Sequence, residues 1–253
     1  MLDKETAKDL AKEFRIDLFT IYREYFQLLF LKYFYYQVGS GKIYFKGGTA
    51  LKFLYNSFRF SEDLDFSSLV SAKKIGIIIE ETLKDLNKEI GNVEFRKEKT
   101  LKNSFSGRLV QKVDFFKFPL TTRLDFSLRE KPILTDVSLI ETRFPVSPSP
   151  QVSHLKIEEI LAEKIRTLFT RTRGRDIFDL YFILSKGISI DWNLVNKKMD
   201  FYKKKASLEQ LIEVIKSFPQ SEIKTDVTKF LPLTHRNLIP RLKNLILEKI
   251  KNL

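Results

Sequence analysis

Cysteine is absent from the sequence, which excludes disulfides, thiolate metal sites and a cysteine nucleophile. Histidine is nearly absent too: His154 and His235 are the whole complement, too few for a histidine-built metal site. A metal ion bound by this chain would therefore rest on carboxylates, which favours magnesium or manganese. Long hydrophobic runs are also missing. The most apolar early stretch, residues 25–38, is broken by Gln27, Lys32 and Gln37 and is too short and polar to span a bilayer. Asp3, Lys4 and Glu5 stand where the apolar part of a signal peptide would begin, so a cytoplasmic protein that does not enter a membrane is expected.

What is present is core material and positive charge. Of 253 residues, 43% are hydrophobic, enough for one large domain or two modest ones. Lys and Arg number 45 against 32 Asp and Glu, and the resulting +13 favours a polyanionic partner, nucleic acid or a lipid surface.

Helical spacing of Leu10, Phe14, Leu18 and Ile21, then of Phe26, Leu29 and Phe30, predicts helix over 3–38 in one or two pieces, ended by Gly39 and Gly41. A short strand at 43–45 enters a Gly47-Gly48 turn, followed by helix over 49–58 and strand over 64–67. Ile75, Ile78, Ile79, Leu83, Leu86 and Ile90 share one face of a helix over 72–90, which Gly91 stops. Apolar–polar alternation predicts half-buried antiparallel strands at 93–97, 107–116 and 122–128. The proline-rich RFPVSPSP, 143–150, reads as a linker, and helices are predicted beyond it over 156–171, 176–186, 208–217 and 240–253. An α+β part over 1–148 thus precedes a helical domain over 149–253.

The densest chemistry lies in FKGGTALKFLYNSFRFSEDLDF, 45–66. A strand, a Gly-Gly turn and a helix form a phosphate cradle, because glycines admit an anion to the backbone and a helix N-terminus offers N–H groups. Gly47, Gly48 and Thr49 would line it, with Lys46 beside them. Asp63 and Asp65 are two apart, so on a strand both face one way, while Leu64 and Phe66 face the other. Two adjacent carboxylates repel unless a cation sits between them, and a divalent ion is the usual answer. Arg59 and Ser61 precede them as candidate phosphate contacts. Asp125, in TTRLDFSLRE, is the preferred third carboxylate, with Asp114 as its competitor.

A second block surrounds Lys164. Ile157, Ile160, Leu161 and Leu168 share a helix face with this lysine in its middle. A lysine there is costly unless it snorkels or meets an anion, and a bound triphosphate is such an anion. RTRGRD, 171–176, adds three arginines, and Asp176 begins the next helix as an N-cap or as a partner for them. Asp179 reads as structural.

The glycine turn, helix and Asp-x-Asp resemble the DNA polymerase β-like nucleotidyltransferase superfamily. More closely, KGGTALKFLY, RFSEDLDF and EILAEKIRTLFTRTRGRDIFDLY are similar to the AbiEii/AbiGii toxin family of minimal nucleotidyltransferases. The resemblance covers most of the chain, is most specific over 46–66 and 159–181, and fades after about residue 190. It implies a nucleotidyltransferase-type mixed sheet with helices, followed by a helical domain, with the active site in the cleft between the two. It implies metal ligands and catalytic groups at Asp63, Asp65, Lys164 and Asp176, and a site serine at Ser61. It also implies transfer of a nucleotide from NTP to an acceptor, RNA at the 3′ end of tRNA in some members, and a separate cognate antitoxin. Together with the residue reading, magnesium or manganese would sit on Asp63, Asp65 and Asp125, and Asp125 would accept the acceptor's proton. Alternatives are nucleotidylation of a protein or small molecule, and a non-catalytic NTP- or RNA-binding regulator.

Overall fold

The computed structural model describes residues 2–251, so Asn252 and Leu253, the end of the expected last helix, lie outside the described residues. The chain forms two compact units. The first holds the described residues up to Asn56 together with Phe60–Leu155; the second holds Ser57–Arg59 and the described residues from Lys156 onward.

In the first unit, the expected N-terminal helical run is two helices. Asp3 caps α1 (Lys4–Phe14) by accepting from the N–H groups of Glu5 and Thr6 at 3.0 and 2.9 Å. Arg15 turns left-handed at φ 50°, and Asp17 caps α2 (Leu18–Tyr36) through the Thr20 N–H at 2.8 Å. β1 (Ile43–Lys46) runs directly into α3 (Gly47–Tyr55). Asn56, left-handed at φ 60°, ends α3 three residues before the expected limit. β2 (Asp63–Ser68) and α4 (Ala72–Ile90) follow, and Gly91 stops α4 at φ 62°. Then come β3 (Val93–Leu101), β4 (Ser104–Gln111), β5 (Leu120–Ser127), β6 (Thr135–Leu139) and β7 (Gln151–Leu155).

The strand expected over 107–116 is displaced: β4 ends at Gln111, and residues 113–116 form a turn in which the Phe116 N–H donates to Val113. β6 and β7 were not expected. The proline-rich 143–150 joins these antiparallel neighbours inside the first unit. Proline cannot donate to a ladder, so the passage is irregular while its flanks pair.

The described strands form one mixed sheet in the order β3-β4-β5-β2-β1-β7-β6. β2 pairs in parallel with β5 and antiparallel with β1; β1 pairs in parallel with β7. Alternation sorts the central strands into two faces. Phe45, Phe66, Phe126 and Phe105 occupy adjacent strands on the buried face, with ring centroids 5.6, 4.7 and 5.9 Å apart in sequence. Phe34 of α2 closes over Phe66 and Phe126 at 5.5 and 6.0 Å. The opposite face carries the polar residues of the same strands.

In the second unit, α5 (Ile157–Leu168) is followed by α6 (Gly174–Ser185), α7 (Trp192–Met199), α8 (Leu208–Ser217), α9 (Gln220–Thr228) and α10 (Leu242–Lys251). α7 and α9 were not expected from the sequence. α6 is the hub, packed on α5, α9 and α10 through a buried face that includes Ile177, Phe178, Leu180 and Ile183. Its first residue must be glycine, since a Cβ at Gly174 would lie 2.6 Å from the Ile223 Cα of α9. No helix among the described residues is long and apolar enough to cross a membrane.

Two outcomes follow from this packing. Phe126 lies nearly parallel to Phe66, at 11°, and is fully buried, so Phe126→Ala should lower unfolding free energy by about 3–5 kcal/mol in urea titrations. Burial drives the Glu24 carboxyl up from 4.5 to about 7, against the opposing Lys52 ammonium 3.8 Å away. A carboxyl whose folded pKa is raised contributes most below its unfolded pKa and loses that contribution as pH rises through the folded value. Stability should therefore fall by about 3 kcal/mol between pH 4.5 and 8 from this group alone. Glu24→Gln should remove that slope in urea titrations repeated across pH.

Candidate active site

The first cluster is built by strand register. Asp63 and Asp65 sit on β2 with Leu64 and Phe66 turned into the core. Across the antiparallel ladder Asp65 is opposite Lys46, and across the parallel ladder it is opposite Asp125. Asp63 is opposite Arg123 in the same ladder. Paired residues on neighbouring strands point to the same side, so Lys46, Asp65 and Asp125 form a row across the polar face. Asp125, not Asp114, is the carboxylate in register with Asp65; Asp114 lies in the exposed segment beyond β4.

The electrostatics follow this row. Burial, and then the charge of Asp65, push the Asp125 carboxyl above the usual carboxylate range, against Arg123, Arg129 and Lys46. Arg123 reaches Asp125 at 3.3 Å in a pair that is 42% exposed on both sides, so solvent screens it. Two carboxylates repelling one another in register make a place for a cation, and oxygen donors of this kind suit a hard divalent ion. The expected set of three is not gathered: among the described residues no group of three or more His, Cys, Asp or Glu side chains stands close enough to hold a metal. A pair still fits magnesium, which commonly takes one or two carboxylates and completes its shell with substrate phosphates and water.

Glycine at position 47 is demanded twice. Its φ is +78°, and a Cβ there would meet the Asp65 carboxylate, with the Asp65 Cγ 3.1 Å away. The start of α3 therefore sits against the carboxylate row, with Gly48 and Thr49 in its first turn. Thr49 differs from expectation. Its hydroxyl donates to the Asp63 carbonyl and ties α3 to β2 instead of facing phosphate. Ser61 lies just before β2, and its carbonyl accepts from the Gln27 side chain at 3.1 Å.

The second cluster lies wholly in the helical unit. The Lys164 ammonium, on α5, contacts Asp176 Oδ1 at 2.9 Å and Asp179 Oδ2 at 2.7 Å, both from α6. Asp176 also accepts from Arg171 Nε at 2.9 Å. Burial would lower the Lys164 pKa, but Asp176 and Asp179 outweigh it and hold the ammonium above its usual range. Burial would likewise raise the Asp176 pKa, but Lys164 and Arg171 hold it well below the ordinary carboxylate value. Asp176 is thus an ion-pair partner and not an N-cap; Arg173 occupies the cap position of α6.

Arg59 overturns its expected role as a phosphate contact. Its side chain is 2% exposed, and its Nε and one terminal nitrogen fork onto the two Asp179 oxygens, each at 2.9 Å. Asp179, set aside in the sequence, is the residue that reading missed. The signal was its spacing: it follows Asp176 by three, which puts both on the α6 face that meets Lys164.

No curated protein matches the sequence. Among solved structures the chain is similar to MenT4, a nucleotidyltransferase toxin from Mycobacterium tuberculosis H37Rv, with TM-score 0.63 and 18% identity over 100% of this chain and 91% of that one. It is also similar to JHP933 from Helicobacter pylori, with TM-score 0.58 and 21% identity over 94% and 95% of the two chains. At such identities these likenesses carry the fold alone. The family described as nucleotidyl transferase AbiEii toxin, type IV toxin–antitoxin system, matches residues 30–245. Its nucleotidyltransferases use an NTP and a divalent cation and are paired with a cognate antitoxin. By that match over most of its length, the chain belongs to the AbiEii nucleotidyltransferase toxin family.

Proposed function

We propose that the protein transfers a nucleoside monophosphate from an NTP to the 3′-hydroxyl of RNA, with tRNA as the acceptor class and magnesium as the metal, in the cytoplasm, as a toxin restrained by its antitoxin. The observation that carries this reading is the Asp65–Asp125 pair in register beside the start of α3. The preference for an RNA acceptor rests on the chain's +13 charge, which a small acceptor would not need.

Each residue has a task in this reading. The main-chain N–H groups of Gly47, Gly48 and Thr49 meet the NTP phosphates, and Lys46 adds a cation beside them. Asp65 and Asp125, with Asp63 one pleat away, hold the metal. Bound there, it would supply Lewis-acid polarisation of the phosphate under attack and charge for the leaving group. The acceptor hydroxyl gives its proton to the Asp125 carboxylate, whose raised pKa suits a base. The freed oxygen bonds to the α-phosphorus, the bond from that phosphorus to the β-phosphate bridge oxygen breaks, and pyrophosphate leaves. Lys164 neutralises the triphosphate as charge grows on that leaving group, and Asp176 keeps the lysine charged.

Incubation with magnesium, total tRNA and each α-labelled NTP tests the reading. Label should appear on RNA and vanish with Asp65→Asn. Label on protein would replace the acceptor; no label, with NTP still bound, would favour a regulator. Gly47→Ala should cut transfer by roughly 10²-fold, since its Cβ displaces the Asp65 carboxylate from the start of α3.

A further inference from the structure

Lys164 is bracketed by two carboxylates, and the two have different second partners. Asp176 shares Arg171, whose side chain is 44% exposed. Asp179 is 0% exposed and shares Arg59, which is 2% exposed. Two buried cations therefore meet on one buried carboxylate. Such a carboxylate is far costlier to lose than an exposed one, because both cations then face each other without compensation.

The segment that brings Arg59 is fixed as well. Phe58 packs edge-on against Phe178 of α6 at 5.1 Å, and the Arg59 guanidinium lies 5.9 Å from the same ring. Arg59 thus has no freedom to turn toward a ligand while Asp179 is charged. Lys164 is confined in the same way. Two of its three N–H groups are taken, by Asp176 and Asp179, which leaves one direction for an anion.

We infer that Asp179 is a positioning residue for NTP binding: by accepting Arg59 and Lys164 together, it holds the Lys164 ammonium charged and aimed at the triphosphate. The inference rests on the assignment of Lys164 to the triphosphate made above. Asp179 touches no substrate and acts through the lysine. The charged groups around Lys164 are Asp176 and Asp179 of α6, Arg59 of the 57–59 segment and Arg171 after α5. On α7, Lys198 is engaged with Glu159 at 2.5 Å and Glu163 at 3.6 Å of α5. Of these groups only Asp176 and Asp179 contact the ammonium as acceptors. Removal of Asp179 leaves one carboxylate against burial and Arg59, so the lysine should lose its proton at lower pH.

The test is calorimetric binding of each magnesium–NTP to the full chain from pH 7 to 10.5, for wild type, Asp179→Asn, and Arg59→Met combined with Asp179→Asn. The double variant removes the buried cation with its partner and preserves folding if the single variant fails. The expected result is NTP binding weaker by roughly tenfold or more in whichever variants fold. The alkaline fall-off in affinity should also move to lower pH, a displacement that a merely structural role would not produce. A folded variant with wild-type affinity and an unmoved alkaline limb overturns the inference. So does a wild type that binds none of the four nucleotides, or a Lys164→Met protein that binds them as wild type does. Binding is read apart from label transfer, so loss of affinity in an Asp179 variant of a protein that transfers nothing would sustain this inference while defeating the transfer reading.

Discussion

Asp65 and Asp125 repel each other, and the sheet holds them together nonetheless. The restraint comes from behind. One residue further along each strand, Phe66 and Phe126 stack at 4.7 Å on the buried face, and Phe45, Phe105 and Phe34 close around them. Strand register has a period of two, so a slip of one residue would turn phenylalanines to solvent and aspartates into the core. The burial of these rings, at roughly 2–3 kcal/mol each, exceeds the repulsion of one half-exposed carboxylate pair. The site's electrostatic strain is thus carried by its hydrophobic floor.

The helical unit meets the reverse problem. There the charges are inside, and apolar packing cannot offset an unpaired ion. Each cation is matched to a carboxylate: Arg59 to Asp179, Lys164 to Asp176 and Asp179, Lys198 to Glu159. Such pairs add little net stability, but they permit only one arrangement of the helices, since any other would strand a charge.

The local chemistry was legible in the sequence to the extent that it was periodic. β2 and the carboxylate at Asp125 could be read from alternation, and α4 from its row of isoleucines. Lys164 stood out because it interrupts an apolar face. What could not be read was pairing. Alternation does not say that β5 lies beside β2, and only that neighbourhood selects Asp125 over Asp114. β7 escaped because its QVSHL has no strong alternation and follows three prolines. Thr49 and Arg59 were misjudged for one reason. A polar side chain beside a motif looks available for ligand, and only the fold reveals the carbonyl or carboxylate already holding it.

The Ser57–Arg59 segment belongs to one unit while the chain on either side of it belongs to the other. During synthesis, Arg59 leaves the ribosome about 120 residues before Asp179, the separation along the chain. β1 likewise waits for β7, since Phe45 pairs with His154. Contacts this distant in sequence form late. A growing chain therefore displays the glycine turn and both β2 aspartates well before it can lock its lysine, and competence arrives only near the end of translation. For a toxin, that order gives the cell an interval in which the protein is present and harmless.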